Sequence, residues 1–336
     1  AYSLPYLSFL TKPLFVYVLL LLLSTIHLSR QTFTLMQTRI KPSLLFLLSF
    51  VFVILVGAGL LSLPNATTHR IPFIDALFIS TTSVCVTGLT TVDVATSFTH
   101  IGHIIILILI QIGGIGVMTF TSFFALSFMG KSSFTSKMML KDMLNEDRTG
   151  GLFRVILNIL FVTLFIEGIG AYFIYMDVRG SLPGGTQQEL FYAMFHAVSA
   201  FCNAGFDLLG VRTPFSSLTS YAANPVINFT IMFLIVFGGI GFLTWDDIRT
   251  NRLHLRKYRM QSKVILCTTA VLLIAPAMYF YFFEFADLTR KERLLSSLFQ
   301  AVTPRTAGFN TVELTDLSEA GQFITIALML IGGSPG

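Results

Sequence analysis

Long apolar stretches alternate with short polar links along nearly the whole chain. Seven apolar runs are long enough to be membrane spans: 13–29, 43–63, 101–128, 152–176, 225–245, 262–284 and 322–336, the last cut short. A helix needs about 20 mainly apolar residues to cross the hydrocarbon core of a bilayer. The pattern therefore predicts an all-α protein that crosses a membrane several times.

Three shorter apolar pieces lie between these runs, at 74–84, 190–201 and 293–303. At about 1.5 Å per residue, a helix of this length covers about half of the hydrocarbon core. Each piece is followed by a glycine and then by a polar stretch. This arrangement is typical of a re-entrant segment, in which a half-helix enters the membrane and the chain returns in an extended form.

The composition supports a membrane location and excludes several other classes. The chain is 54% hydrophobic and 12% charged, which is about half the charged fraction of a soluble domain. The net charge of +5 does not indicate a nucleic-acid partner, because the Lys and Arg residues lie in links between apolar runs. The three cysteines, Cys85, Cys202 and Cys267, are too few for a disulfide framework.

The basic links predict how the chain is oriented. The link 30–41 holds three Lys or Arg residues, the stretch 130–154 holds five and the stretch 249–263 holds six. All three lie on one side of the membrane if the half-helices enter from the other side. Because cytoplasmic loops are rich in Lys and Arg, we expect a multi-pass protein of the cell inner (plasma) membrane, surrounded by lipid, whose half-helices enter from outside.

The three half-helices belong to an internal repeat. When Gly88, Gly205 and Gly308 are aligned, the preceding segments match in their apolar and small residues, and the following span carries a glycine pair in each copy: QIGGIG at 111–116, FGGIG at 237–241 and IGGSPG at 331–336. The repeated unit is span, half-helix, glycine loop, span. Each copy starts and ends on the same side, so the copies are parallel.

This repeat points to cation binding by the backbone. Extended backbone at membrane depth is tolerated only where it is buried in protein or lines a water-filled cavity. Loops brought together around an axis can present carbonyl oxygens that replace the hydration shell of a cation. The candidate ion-binding residues are Val86, Thr87, Gly88, Asn203, Ala204, Gly205, Thr306, Ala307 and Gly308.

The side chains in these loops suggest which cation is bound. Thr87 and Thr306 can add hydroxyl oxygens and Asn203 an amide oxygen, but the loops hold no ring of Asp or Glu. Asp207, two residues past Gly205, is expected only to attract cations to the mouth. A large monovalent cation therefore fits better than a divalent one.

At these residues the chain resembles the Trk/Ktr/HKT superfamily of potassium transporters, and within it the bacterial Trk/Ktr membrane subunit. The matching motifs are TSVCVTGLTTVD, HAVSAFCNAGFD, QAVTPRTAGFN, QIGGIGVMTF and the start of a GGSPG loop, and the resemblance covers about residues 40–336. It implies four repeats arranged pseudo-fourfold around one pore, with one glycine from each repeat in a selectivity filter. Glycine at position 88, where sodium-passing members have serine, implies potassium.

The resemblance also implies a gate and partners. A small-residue loop below the filter acts as the gate in this superfamily, and its counterpart begins at Gly332, Gly333, Ser334, Pro335 and Gly336. Members form homodimers and dock on a cytosolic nucleotide-binding regulatory ring. The basic stretches 130–154 and 249–263 are either docking surfaces for such a partner or ordinary cytoplasmic charge.

These features divide the chain into four parts. We expect an extra N-terminal transmembrane helix at 1–40, pore repeat 1 at 41–130, pore repeat 2 with its preceding cytoplasmic loop at 131–248, and pore repeat 3 at 249–336, truncated at the gate loop. The chain has no fourth repeat. Because it stops at Gly336 within an apolar segment, we expect it to be an interior piece of a longer chain.

Several residues keep more than one interpretation. Arg305, a charge at membrane depth, either braces its loop or orders and repels ions. Glu167 lies within a span, where a hydrogen-bonded or helix-pairing role is favoured over transport. For His196 we favour a buried, hydrogen-bonded role over metal binding, and for the glycine pairs we favour close helix packing.

The function expected from the sequence is potassium uptake through a carbonyl-lined selectivity filter in a channel-like transporter subunit. The alternative is a secondary transporter that couples cation movement to protons or sodium. An intramembrane enzyme is not expected, because the six histidines are scattered along the chain and no HExxH motif is present, and no covalent cofactor is expected.

Overall fold

A computed structural model describes residues 42–114, 116, 152–182, 185–209, 214–252, 254–258, 260–305 and 307–332. In these residues the chain forms helices and loops, with one isolated antiparallel bridge between Thr67 and Phe98. The α-helices are α1 (Pro42–Leu61), α2 (Phe73–Val84), α3 (Val94–Ser97), α4 (His100–Gly114), α5 (Leu152–Val178), α6 (Gly185–Phe201), α7 (Pro225–Gly239), α8 (Phe242–Asn251), α9 (Met260–Tyr279), α10 (Arg290–Val302) and α11 (Glu319–Gly332).

Three sets of helices follow the order expected from the repeat. The first unit contains α1, α2 and α4, the second α5, α6 and α7, and the third α9, α10 and α11. The middle helix of each set corresponds to one predicted half-helix. Of these, α2 agrees with the predicted bounds to one residue, whereas α6 begins five residues earlier than the predicted 190.

One predicted span is wrong as a single helix. The run 225–245 contains two helices, α7 and α8, separated at Ile240 and Gly241. Gly241 has a φ of 76°, a left-handed conformation that interrupts a right-handed helix and is readily adopted by glycine. The aligned glycine of the first unit, Gly116, also has a positive φ, of 85°, and α4 ends just before it, at Gly114, within the predicted run 101–128.

The breaks shorten the apolar helices. By length and composition, two described helical segments are able to cross a membrane, Ile159–Val178 and Ser262–Glu284. The second of these includes a π-helical turn at Phe280–Glu284, directly after α9. Pro276 lies inside α9 and lacks the backbone N–H needed to continue the helical hydrogen bonds, which accounts for irregular winding close to it.

The second half-helix, α6, lies between the other two units. Phe191 and Phe195 on α6 belong to a buried cluster with residues of α1, α2 and α4. Ala197 and Phe201, also on α6, belong to another cluster that includes Phe299 of α10. Burial of apolar side chains on both sides of α6 therefore holds the three units together.

The outer surfaces of the long helices are apolar. Phe161, Phe165 and Phe173 on α5 are 71%, 60% and 49% exposed, and Val271 and Ile274 on α9 are 58% and 61% exposed. A monomeric soluble protein rarely exposes apolar surface so continuously. These faces suit contact with lipid.

Candidate functional site

The candidate site is built from three loops that follow the half-helices. We define glycine loop 1 as residues 85–90, glycine loop 2 as 202–207 and glycine loop 3 as 303–310. Gly88, Gly205 and Gly308 have φ values of 76°, 70° and 76°. The three aligned glycines thus all have a φ in the left-handed region, which costs other residues about 1–2 kcal/mol.

Each loop is tied back to its own half-helix by the residue before its glycine. That residue donates its backbone N–H to a carbonyl near the end of the helix: Thr87 to Thr82 (2.8 Å), Ala204 to Ser199 (2.7 Å) and Ala307 to Thr303 (3.0 Å). The similar bonds explain why the chain turns in the same way after each helix.

A hydroxyl group near the end of each half-helix holds the residue after the glycine. Thr82 Oγ1 accepts a hydrogen bond from the backbone N–H of Leu89 at 3.0 Å. Ser199 Oγ donates to the carbonyl of Phe206 at 2.8 Å, and Thr303 Oγ1 donates to the carbonyl of Phe309. The residues on both sides of each glycine are therefore anchored to the half-helix.

Adjacent loops meet backbone to backbone. A Cβ atom placed on Gly88 would overlap the carbonyl oxygen of Ala204 and lie 3.4 Å from Cα of Gly205. A Cβ atom on Gly205 would lie 2.5 Å from the carbonyl oxygen of Ala307 and 2.7 Å from Cα of Gly308. Such contacts leave no room for a side chain, so the loops are neighbours in the order 1, 2, 3.

The carbonyl groups of these loops are available for coordination. Among the residues that the structure describes, the carbonyl oxygens of residues 86–88 and 203–205 accept no hydrogen bond from another residue. Ala204 is 0% exposed. A buried carbonyl needs a partner to offset the loss of water, and a cation is one such partner.

Further hydrogen bonds connect the segments that follow the three half-helices. Asp93 Oδ1 accepts from the backbone N–H of Phe215 at 3.1 Å, which joins the first unit to the second. Leu218 donates its N–H to the carbonyl of Asn310 at 2.9 Å, and Ser217 Oγ accepts from the N–H of Asn310 at 3.0 Å. These bonds link the segments of the three units that lie close to the glycine loops.

The helix glycines permit close packing beneath the loops. A Cβ atom on Gly113 would overlap the carbonyl oxygen of Val84, the last residue of α2, and one on Gly238 would overlap that of Phe201, the last residue of α6. The aligned glycine of the third unit, Gly332, would place a Cβ atom 2.9 Å from Cγ of Arg305. The packing interpretation preferred for Gly113 and Gly238 is therefore supported by their contacts.

Comparison with known proteins identifies the family. The TrkH family, described as a cation transport protein, matches residues 16–336. The chain belongs to this family. The family consists of transporters rather than enzymes, in agreement with the expectation from the motifs.

Individual relatives in the same family are potassium uptake proteins. The potassium/sodium uptake protein NtpJ of Enterococcus hirae is 38% identical over an alignment of 310 positions that covers 89% of this chain and 66% of that protein. The Ktr system potassium uptake protein B of Bacillus subtilis is 35% identical over an alignment of 300 positions that covers 88% of this chain and 66% of that protein. The chain thus spans slightly less than two thirds of the length of these curated relatives.

A solved structure gives the same fold. The crystal structure of the potassium transporter TrkH from Vibrio parahaemolyticus matches with a TM-score of 0.56 and 17% sequence identity, over 84% of this chain and 55% of that one. Membership of the TrkH family and this shared fold confirm a helical membrane protein of the Trk/Ktr type.

Several predicted residues lie outside the described part of the chain. They are Thr306 of glycine loop 3, the gate residues Gly333, Ser334, Pro335 and Gly336, and the expected N-terminal helix, which falls within residues 1–41. The basic stretch 130–154 also falls outside it, except for its last three residues. The remaining gate residue, Gly332, is the last residue of α11 and is buried.

Asn203 supports its loop through its side chain as well as its backbone. Its φ is 59°, in the left-handed region that Asn tolerates better than most residues. Its amide lies 3.2 Å from the carbonyl oxygens of Ile235 and Ala200, contacts that assign the amide nitrogen to that side. The amide therefore anchors glycine loop 2 to α7.

The two charged residues with open roles both make specific hydrogen bonds. Arg305 Nη2 donates to Thr269 Oγ1 on α9 at 3.1 Å, which favours the bracing role over ion repulsion. Glu167 is 4% exposed, and its Oε1 accepts from Gln111 Nε2 at 3.1 Å and lies 3.9 Å from the thiol of Cys202. Glu167 thus links α4, α5 and glycine loop 2, as the helix-pairing interpretation expected.

The hydroxyl groups of Thr82, Ser199 and Thr303 were not identified from the sequence. In the aligned repeats Thr82 and Ser199 stand six residues before the glycine and Thr303 five. A search for a hydroxyl residue within one position of a fixed offset would have found them. The alignment of the repeats considered only apolar character and small size, and neither property reveals a hydrogen bond.

Proposed function

We propose that this chain supplies three quarters of a selectivity filter for potassium uptake in a channel-like transporter subunit. The observation that carries the proposal is the backbone contact between three glycine loops whose aligned glycines all have a φ in the left-handed region. The names of the relatives, which include potassium and potassium/sodium uptake proteins, support potassium as the transported ion.

The chemistry of the loops favours a monovalent cation. Carbonyl oxygens replace the water around a potassium ion without adding negative charge. Each half-helix also directs its C-terminal end toward its glycine loop, and this end carries a partial negative charge of about one half of an elementary charge. No group of three or more His, Cys, Asp or Glu residues suited to a metal is present among the described residues.

The proposed filter consists of Val86, Thr87 and Gly88 from loop 1, Asn203, Ala204 and Gly205 from loop 2, and Thr306, Ala307 and Gly308 from loop 3. Loop 2 lies between the other two, and its residues 203–206 are buried, whereas Gly308 and Leu89 are exposed. On this proposal the loops occupy three successive positions of a pseudo-fourfold ring. A fourth, comparable segment would complete the ring between loops 3 and 1.

The wider assembly follows from the same proposal. The repeats keep the boundaries 41–130, 131–248 and 249–336, and residues 332–336 begin the gate below the filter. We further propose a homodimer in the plasma membrane that docks on a cytosolic nucleotide-binding ring. Two relatives are named as components of a Ktr system, which supports a partner of this kind.

The filter assignment is tested by Gly88→Ser in the full-length protein. A side chain at position 88 would overlap the carbonyl oxygen of Ala204. Serine would also have to adopt a left-handed backbone conformation, which costs about 1–2 kcal/mol and so shifts an equilibrium roughly tenfold. We expect potassium uptake by cells that lack other potassium transporters to lose most of its preference over sodium. Gly59→Ser is the matched control, because a Cβ atom there meets nothing within 4 Å.

Two outcomes would overturn the proposal. If the full-length protein does not take up potassium, the proposed function is wrong. If it does, but Gly88→Ser keeps the preference for potassium over sodium seen in Gly59→Ser, the filter lies elsewhere.

Coupled transport has one residue in its favour, the buried carboxyl group of Glu167. A carboxyl group within a membrane span is costly and often functional. Its hydrogen bond with Gln111 accounts for a buried carboxyl group at this position by helix pairing alone. Uptake that stays tied to a proton or sodium gradient in liposomes, and that loses this dependence in Glu167→Gln, would favour coupling.

A further inference from the structure

One buried histidine contacts glycine loop 3 and Leu208, the residue that directly follows glycine loop 2. His196 lies on α6, nine residues before Gly205, and is 1% exposed. The aligned residues of the other units are Ile79 and Phe299, both apolar and 0% exposed. The second unit therefore has a polar group where the other two have only packing.

Both ring nitrogens of His196 form hydrogen bonds with backbone groups. Nδ1 lies 2.7 Å from the carbonyl oxygen of Tyr192, and Nε2 lies 3.1 Å from the backbone nitrogen of Leu208. A carbonyl only accepts and an N–H only donates, so Nδ1 carries the proton and Nε2 accepts. The imidazole is thus a neutral strut between α6 and the residue three positions after Gly205.

The ring of His196 also faces glycine loop 3. Its centroid lies 6.3 Å from that of Phe309, with 34° between the ring planes. Phe309 directly follows Gly308, is 0% exposed, and has its carbonyl held by Thr303. A change in the position of the imidazole would therefore shift the backbone on both sides of the contact between loops 2 and 3.

We propose that His196 is a positioning residue that sets the separation of glycine loops 2 and 3 and thereby the preference among monovalent cations. This inference rests on the proposed filter. The hydrogen bond from Leu208, the residue that follows loop 2, keeps loop 2 from moving away from α6, and the tilted ring contact with Phe309 limits the approach of loop 3. His196 does not touch the ion and acts only through the backbone of the two loops.

The test compares two substitutions in the full-length protein. His196→Gln keeps a donor for Tyr192 and an acceptor for Leu208, whereas His196→Phe keeps the ring and removes both hydrogen bonds. The measurement is potassium uptake with sodium as competitor, normalised to the amount of folded protein in the membrane. We expect His196→Phe to lower the preference for potassium over sodium about tenfold, because the buried N–H of Leu208 is left without its acceptor. We expect His196→Gln to restore most of this preference.

The matched control is His103→Phe on α4. His103 is also buried, at 4% exposure, and its Nε2 donates to the carbonyl of Val94 at 2.8 Å, outside the glycine loops. A purely structural role for buried histidines predicts similar behaviour of the two Phe variants. We expect the His103 variant to have less folded protein and an unchanged ion preference.

If His196→Phe yields no folded protein, His196→Asn replaces it, because the shorter amide cannot span both backbone partners. An unchanged ion preference in the variant that folds would overturn the inference, and so would a failure of glutamine to restore it. In both cases the wild-type protein still takes up potassium, so the proposed function stands. Loss of uptake by the wild-type protein itself would remove both.

Discussion

The contact between glycine loops 2 and 3 leads to a quantitative prediction for Gly205→Ala. The new methyl group must occupy a site 2.5 Å from the carbonyl oxygen of Ala307 and 2.7 Å from Cα of Gly308. The φ of 70° adds about 1–2 kcal/mol for an L-residue, and overpacking adds about 1–3 kcal/mol. We therefore expect a loss of about 2–5 kcal/mol of stability, a large share of the total for a typical domain.

Two other glycines separate these contributions. Gly180 has a φ of 77° but no atom within 4 Å of the place that an alanine methyl group would take, and Gly59 has neither a positive φ nor such a contact. Gly180→Ala should therefore cost only the conformational part, about 1–2 kcal/mol. Gly59→Ala should be neutral or stabilising by up to about 1 kcal/mol, since alanine is the better helix former.

The assay is thermal unfolding of the purified full-length variants in detergent, combined with potassium uptake in cells. We expect the midpoints to fall in the order Gly59→Ala, Gly180→Ala, Gly205→Ala, and only Gly205→Ala to change the preference for potassium over sodium. If Gly205→Ala unfolds at the same temperature as Gly180→Ala and keeps its ion preference, loops 2 and 3 are not in contact and the reasoning fails.

Contacts around the loops lead to three more predictions. Gly238→Val should strongly lower the yield of folded protein, measured by size-exclusion chromatography, because its side chain would overlap a backbone carbonyl at the end of α6; a normal yield would contradict the packing of α7. Glu167→Gln should keep uptake within about twofold, since an amide oxygen still accepts a hydrogen bond from Gln111; abolished uptake in well-folded protein would show that the charge is needed. Asp93→Ala should lower the unfolding midpoint by removing the N-terminal cap of α3, worth about 1 kcal/mol, and the hydrogen bond from Phe215; an unchanged midpoint would contradict both contacts.

The half-helices show how far local sequence determines this fold. The predicted piece 74–84 coincides with α2 to within one residue, because an apolar run bounded by Pro72 and a turn leaves little choice of helix ends. The predicted span 225–245 failed for the opposite reason. The apolar composition continues through Ile240 and Gly241. A hydrophobic pattern therefore gives no sign of the positive φ that interrupts the helix there.

The aligned glycines could be found from the sequence because a repeat places the same conformational demand at the same offset three times. Their φ values lie in the left-handed region, which a side chain would hinder. This agrees with the reason for expecting glycine at these positions. The hydroxyl braces could be found only by letting the offset vary by one position. The links through Asp93 and Ser217 could not be found in this way. Their partners lie in loops whose positions depend on how three units pack.

The sequence by itself determined the helical membrane class, the family, the threefold recurrence and the positions of the loop glycines, because these depend on composition, spacing and local conformation. Only the tertiary structure decided that Gly88 adjoins Ala204, that Gly205 adjoins Gly308, and that His196 supports one loop while contacting the next. The contacts between different loops join residues more than one hundred positions apart. They arise from the packing of α6 between its neighbours, and no local pattern encodes the distance between two loops.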